Sequence, residues 1–425
     1  MRKMTSRVLL SVAAGSVLSL SGCLRDTVTE SQKYTLYTPV YTLKSTVLAS
    51  INGDPGTAIV QPGQLYIKGA FIYVNDVSKG IHVIDNSNPS HPVQTAFLNL
   101  PGNTSIAVRG NTLYADMAND LLAIDITNPR QVSVTGRMSN FFPWHIYSPD
   151  TNYVLTSYII RDTVVKRLVP GSGLYIVPGT IYYTLSATDV PAASNYAAQS
   201  NTSTGVAGSE ASMALVGNYL YSIPEPHSID VVDISDASHP SLLTRTPVGY
   251  DLETIFPFQD KLLVGSKQGV NVYSINTANH LPVEVGTFKH GTSCDPVIAD
   301  QSYAYVTLRS GTYCGGSSNE LDVLDAQDIT QSSLLRSYPM DGPSGLGKDG
   351  SLLFVCDGSV VKVFDATDPS NLKLKTKLPV NNAYDVIASN HLLIVVGSDG
   401  FYEYDYSDPT HIKLLSHLAV NRKVS

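Results

Sequence analysis

Seven short apolar runs, each closed by a polar residue, recur along the chain. Six end in Asp: Ile-His-Val-Ile-Asp (81–85), Leu-Leu-Ala-Ile-Asp (121–125), Ile-Asp-Val-Val-Asp (229–233), Leu-Asp-Val-Leu-Asp (321–325), Val-Lys-Val-Phe-Asp (361–365) and Phe-Tyr-Glu-Tyr-Asp (401–405). The seventh, Val-Asn-Val-Tyr-Ser (270–274), has Ser in that position. Such runs have the length of β-strands, and they alternate too little for a sheet with one wet face, so both faces must be packed. Upstream of each lies a tight polar turn: Gly69-Ala70, Gly110-Asn111, Gly217-Asn218, Gln259-Asp260, Asp300-Gln301, Asp349-Gly350 and Ser389-Asn390. Each unit therefore reads as four strands: A before the turn, B after it, C carrying the run, and D after a second turn that usually contains Pro.

The closing positions are 40 residues apart from Asp85 to Asp125, from Asp325 to Asp365 and from Asp365 to Asp405, and 41 apart from Asp233 to Ser274. Two gaps are longer, 51 residues from Ser274 to Asp325 and 108 from Asp125 to Asp233. A further turn at Pro149-Asp150-Thr151-Asn152, followed by a hairpin-like pair at 153–160 and 163–168, predicts a degenerate unit inside the longer gap. That unit has Val165 in the Asp position and is followed by an insertion at about 169–209. A four-stranded unit of about 40 residues is the period of a β-propeller, and circular closure removes the open sheet edges that isolated units would expose. The expectation is an all-β, eight-bladed β-propeller of four-stranded blades over 41–420, with seven blades as the alternative. The closing Asp sits where strand C ends, placed to accept backbone N–H groups of turns such as Ile-Thr-Asn-Pro (126–129) and Ala-Thr-Asp-Pro (366–369). A calcium loop is the other reading of these turns, but the ligands are few, which favours structure.

Residues 1–23 place Arg2, Lys3 and Arg7 before an apolar run from Val8 to Leu20. The run is too short and too rich in Ser, Ala and Gly to span a bilayer. It ends in Leu20-Ser21-Gly22-Cys23, which resembles a bacterial lipobox. In that class of signal the Cys thiol accepts a diacylglyceryl group and becomes the first residue. A signal peptide over 1–23 and lipidation at Cys23 are therefore expected; an ordinary secretory signal with an incidental Cys is the alternative. Leu24, not Asp, follows Cys23, so inner-membrane retention is not signalled. Residues 24–40 are polar and read as a tether, in which Asp26-Thr27-Val28 resembles an O-glycosylation site. The expected address is the outer membrane or cell surface.

Leu-Leu-Ala-Ile-Asp (121–125) and Ile-Asp-Val-Val-Asp (229–233) resemble the repeat of the LVIVD-repeat bacterial lipoproteins. So do Ser293-Cys294-Asp295-Pro296, the stretch Ala304-Tyr305-Val306-Thr307-Leu308-Arg309-Ser310-Gly311 with Cys314-Gly315-Gly316, and Gly345-Leu346-Gly347 followed by Leu353-Phe354-Val355-Cys356-Asp357-Gly358. The resemblance runs from about 60 to 420 and departs at Val165, at Ser274 and in the insertion. It implies a lipid-anchored propeller at the cell envelope and no particular chemistry.

Export permits disulfides. Cys294 precedes strand A of the sixth repeat and Cys314 lies in its B–C hairpin. B–C hairpins and D–A connections emerge on one face of a blade, so a bridge between the two is expected; two free thiols are the alternative. Cys356, in a strand B, reads as a buried small hydrophobe. The same topology gathers Asp76, Asp116, Glu225, Lys267, Arg309, Asp357 and Asp399 from B–C hairpins, with Asp251, Glu253, His290, Asp295 and Asp385 from the starts of A strands. From this mostly acidic rim the candidate binding residues are Asp76, Asp251, His290, Asp295, Arg309, Asp357, Asp385 and Asp399. Such a rim suits a cation, an amine or a polar glycan; the alternative is that hairpin tips are polar because they are wet. The insertion adds Tyr175, Tyr182, Tyr183 and Tyr196, rings suited to stacking on sugars or partners, or to packing an extra hairpin.

Composition acts mainly by exclusion. The 43% of hydrophobic residues is enough for a large core, and 25 Tyr with 31 Gly favour strands and turns. Net charge is −8; loss of Arg2, Lys3 and Arg7 leaves 25 basic residues against 36 acidic, or −11. That balance argues against nucleic acid and anionic surfaces as partners. There is no GxSxG, HExxH, CxxC, Walker loop or strand-following GxGxxG, so no catalytic residue, metal or cofactor is expected. His91, His239 and His411 fall at repeat turns and read as structural. The expected function is a lipid-anchored envelope module that binds or scaffolds a protein or glycan partner on its B–C/D–A face. The alternative is an envelope hydrolase or lyase acting on polysaccharide, with rim carboxylates as acid and base.

Overall fold

The structure, a computed structural model, describes residues 27–143, 145, 148, 150–170, 206–207, 211–249, 251–267, 269–289, 296–300, 302–311 and 316–420. The chain forms two units, one joining 1–40 to 157–190 and the other joining 41–156 to 191–425. The second unit is a propeller.

Its blades are seven four-stranded meanders, taken here in chain order. Blade 1 is Pro62–Lys68, Phe71–Asp76, Gly80–Asp85 and Val93–Asn99; blade 2 is Ile106–Arg109, Thr112–Met117, Asp120–Asp125 and Ser133–Met138. Blade 3 is Met213–Val216, Tyr219–Glu225, Ser228–Asp233 and Ser241–Pro247; blade 4 is Leu252–Phe258, Lys261–Ser266, Gly269–Ile275 and Pro282–Lys289. Blade 5 is Val297–Ala299, Tyr303–Leu308, Glu320–Asp325 and Ser333–Pro339; blade 6 is Pro343–Asp349, Leu352–Asp357, Val360–Asp365 and Lys373–Pro379. Blade 7 is Asp385–Ser389, Leu392–Gly397, Gly400–Asp405 and Lys413–Ala419.

The propeller is as expected, and its blade number is the alternative count, seven. The expected eighth unit fails at its hairpin. Tyr153–Pro170 is one continuous strand, and Arg161 and Asp162 do not reverse it. Its partner is Thr27–Leu43, part of which was read as a tether. Thr35 Oγ1 donates to Asp162 Oδ1 at 2.9 Å and Tyr37 meets Tyr158 edge-on. With Thr42 paired to Thr156, the numbering runs in opposite directions, so the two strands are antiparallel. After the insertion, Val206–Ala207 adds a fifth strand beside strand A of blade 1. Blades 2 and 3 pack directly against each other, Leu113 and Ile124 sharing one apolar cluster with Met213, Leu220 and Val232.

Strands B and C are buried on both faces, as their weak alternation required. One side of a blade packs on the blade before it and the other on the blade after, so the core is a chain of inter-blade clusters. A last cluster, Leu65, Ile72 and Val74 with Ile387, Ile394 and Val396, joins blade 1 to blade 7 and closes the ring. In every blade the C–D pairing shifts register between the third and fourth residues of the apolar run. A bulge there raises the local twist of the outer strand. Helix α1 (Lys44–Ala49) docks the entering chain on blade 2: buried Lys44 reaches Asn119 and, at 2.9 Å, Asp120, which also binds Arg137.

The closing Asp residues do what their position predicts. Asp125, Asp233 and Asp365 each accept the hydroxyl and the backbone amide two residues on, at 2.6–3.0 Å. The hydroxyl, then the amide, hold these carboxyls below the ordinary carboxylate range. His239 and His411 sit in the same turns, their Nδ1 atoms 2.8 and 3.0 Å from Asp236 and Asp408.

Candidate functional site

The B–C hairpins and D–A connections do meet on one face. Val77 N donates to Gln61 O, Lys267 N to Asp251 O, Gly358 N to Gly342 O and Ser398 N to Asn381 O. Beneath that face lie carboxylates that the sequence alone places on the rim. Asp76 is fully buried and accepts Val60 N at 3.1 Å and Gln61 N at 2.7 Å. Asp116 accepts Thr104 N, Ser105 N, Thr104 Oγ1 and Asn103 Nδ2 at 2.7–3.0 Å. Asp357 accepts Asp341 N at 2.9 Å and Gly342 N at 2.7 Å, and pairs with Lys362. Each braces the connection that enters its own blade. Those amides lie outside the ladders and need acceptors when buried, and a carboxylate is a strong one. Asp385 is also buried, at the start of strand A of blade 7.

Two of the exposed candidates, Asp251 and Asp399, sit in polar clusters. At the junction of blades 3 and 4, Asp251 is 3.1 Å from Lys267 Nζ and 3.5 Å from His227 Nε2. On blade 7, the Tyr402 hydroxyl donates to Asp399 at 2.9 Å, and the Tyr402 ring stacks on His417 with centroids 4.1 Å apart. Asp399 and His417 stay 39% and 33% exposed, so this aromatic and acidic pair is open to a ligand. Arg309 is exposed just after strand B of blade 5. Cys23, His290, Cys294, Asp295 and Cys314 lie outside the described residues, and with them the lipidation site and the expected bridge. Cys356 is buried in strand B of blade 6. Among the described residues no group of His, Cys, Asp and Glu could hold a metal ion, and no helix is long and apolar enough to cross a membrane.

Three polar features escaped the sequence reading. His145 stacks on Phe142 and lies 3.7 Å from Asp116. Burial pushes the Asp116 carboxyl up, and His145 with the Ser105 and Thr104 amides pulls it back in part. Asp230, buried in strand C of blade 3, is gripped by Arg245 at 2.7–3.0 Å from the opposite position in strand D. Glu403 is 2% exposed in strand C of blade 7. Its signal was available, because aligning the runs sets it where the other copies have Val83, Ala123, Val231, Val272, Val323 and Val363.

The LVIVD repeat family matches residues 63–96, 102–139 and 207–246. The chain carries LVIVD repeats. Blades 4–7 lie outside those matches and keep the apolar run in their own variants, as in Leu-Asp-Val-Leu-Asp (321–325). No curated protein matches the sequence. Among solved structures, a proposed 6-phosphogluconolactonase from Bacteroides fragilis NCTC 9343 is 12% identical with a TM-score of 0.54, over 87% of this chain and 98% of that one. A Lactobacillus plantarum protein is 12% identical with a TM-score of 0.53, over 85% and 97%. At such identity the likeness is one of fold.

Proposed function

We propose that this LVIVD-repeat propeller is a lipid-anchored module of the cell envelope that binds a protein or glycan partner through its B–C/D–A face and performs no chemistry there. The use made of its carboxylates carries this reading. A polysaccharide hydrolase or lyase needs acidic side chains that reach the substrate, whereas Asp76, Asp116, Asp357 and Asp385 are buried, the first three holding loop amides. What that face offers outward is Asp251 with Lys267 and His227, and Asp399 with Tyr402 and His417. A carboxylate beside an aromatic ring supplies the acceptor and the apolar surface that a sugar or peptide uses. Loops borne on a rigid ring are a usual place for recognition. The anchor rests on Leu20-Ser21-Gly22-Cys23, and the net charge of −8 supports a partner that is not nucleic acid.

The protein lacking residues 1–23 should be screened on a glycan array and against isolated envelope proteins. Binding that Asp399→Asn or Asp251→Asn weakens supports the reading, and turnover of a polysaccharide overturns it. Metabolic labelling of the full chain with an alkyne fatty acid tests the anchor, with the label expected to disappear in Cys23→Ala.

A further inference from the structure

Chain continuity links each blade to the next, except that nothing covalent joins blade 7 to blade 1. That seam holds through the apolar cluster described above, the Tyr384 hydroxyl on Pro62 O and a buried polar contact. In that contact Asn86 Nδ2, at the end of strand C of blade 1, donates to Glu403 Oε2 at 2.7 Å. Both side chains are buried, at 8% and 2% exposure.

Among the described residues no cation is paired with Glu403. Opposite it in strand D is Ser416, and in strand B is Ile394. The nearby titratable groups are turned elsewhere. Asp85 binds Ser87 and Arg130, His417 stacks on Tyr402, and Lys413 is registered with Asp405. On the blade 1 side, Asn86 Oδ1 is buried with no hydrogen-bond partner among the described residues. An ionised carboxylate can only accept, so it leaves that oxygen orphaned. A protonated carboxyl carries the missing donor: its carbonyl takes the amide N–H and its O–H goes to the amide oxygen, closing a reciprocal pair.

We propose that Glu403 and Asn86 form a proton-held clasp across the ring seam, closed when Glu403 is neutral and loosened when it ionises. Burial pushes the Glu403 carboxyl up to about 7 from an ordinary 4.5, with the hydrogen bond from Asn86 opposing. The seam is then tightest below about pH 4.5, loosens as pH rises toward 7 and is weakest above that. One proton is involved, so the opening equilibrium rises by up to about ten-fold per pH unit between 4.5, where Glu403 ionises in the open seam, and about 7, where it ionises in the closed one, and it levels off above that.

Glu403→Gln supplies an amide that can both donate and accept, and so holds the clasp closed at every pH. Hydrogen exchange of strands A–C of blades 1 and 7 should be compared between Glu403→Gln and the unaltered protein, always at one pH so that intrinsic rates cancel. At pH 8.5 the variant should exchange at least ten-fold more slowly along the seam, with blades 3–5 unchanged. At pH 4.5 the two should agree within about two-fold. Equal rates at pH 8.5, the same difference at both pH values, or failure of Glu403→Gln to fold would each overturn the clasp. Asn86→Ala should expose the seam most at pH 4.5, where the clasp contributes fully; no change there counts against it.

Discussion

Replacing Asp116 by Ala tests whether the buried carboxylates are braces. In the intact blade its two oxygens receive two backbone amides, a hydroxyl and a side-chain amide, all at 2.7–3.0 Å. The Thr104 hydroxyl can turn away, and Asn103 Nδ2 already reaches Ser105 O and Asp116 O. The amides of Thr104 and Ser105 have no such freedom, because the connection carries them into strand A. A hydrogen bond to a charged group contributes about 1.5–3 kcal/mol, and an orphaned buried donor costs a similar amount. Two such amides, less the cost of burying the carboxylate, give an expected loss of about 3–5 kcal/mol. Asp116→Asn keeps one acceptor and should lose about half of that. Urea unfolding reads the change as a shifted midpoint at constant slope. Asp405→Ala, the same residue type in an exposed turn, is the control and should move the midpoint little. A loss below about 0.5 kcal/mol for Asp116→Ala, or one no larger than the control's, would refute the brace.

Gly345→Ala should destabilise blade 6 against blade 7, because its Cβ would stand 2.6 Å from Asp385 Oδ1 and 2.7 Å from Tyr384 O. Overpacking of this kind costs about 1–3 kcal/mol; an unchanged urea midpoint would show that the two blades can part without cost. The pH dependence of stability should carry two opposite slopes. The Thr410 hydroxyl and amide hold Asp408 down to about 2, so the unfolded chain takes up that proton first and stability falls as pH drops from about 4 toward 2. Glu403, held high, does the reverse, and its contribution falls as pH rises from 4.5 to about 7. Urea midpoints that rise from pH 4.5 to 7 by the same amount in the unaltered protein and in Glu403→Gln would contradict the second slope.

The repeat was legible because its causes are local. An apolar run with a closing Asp (Ser in blade 4), and a polar turn upstream, recur in every blade and need no distant partner to be recognised. The acidic rim was misleading for the same reason. Asp76 and Asp399 both lie in B–C hairpins, and nothing nearby in sequence tells that one faces buried loop amides and the other solvent. Glu403 stood out by alignment of the runs, but Asn86, its partner across the seam, belongs to the opposite end of the ring.

The sequence by itself determined a closed all-β ring, because strands apolar on both faces can be covered only by neighbours of the same kind. Only the tertiary structure decided that the ring has seven blades. The strand Tyr153–Pro170 pairs with Thr27–Leu43 and not with itself, and a choice between a local hairpin and a partner more than a hundred residues away leaves no mark in periodicity. The same holds for charge. Composition counts carboxylates, but whether each is a brace, a clasp or a contact depends on which backbone amides the fold brings to it.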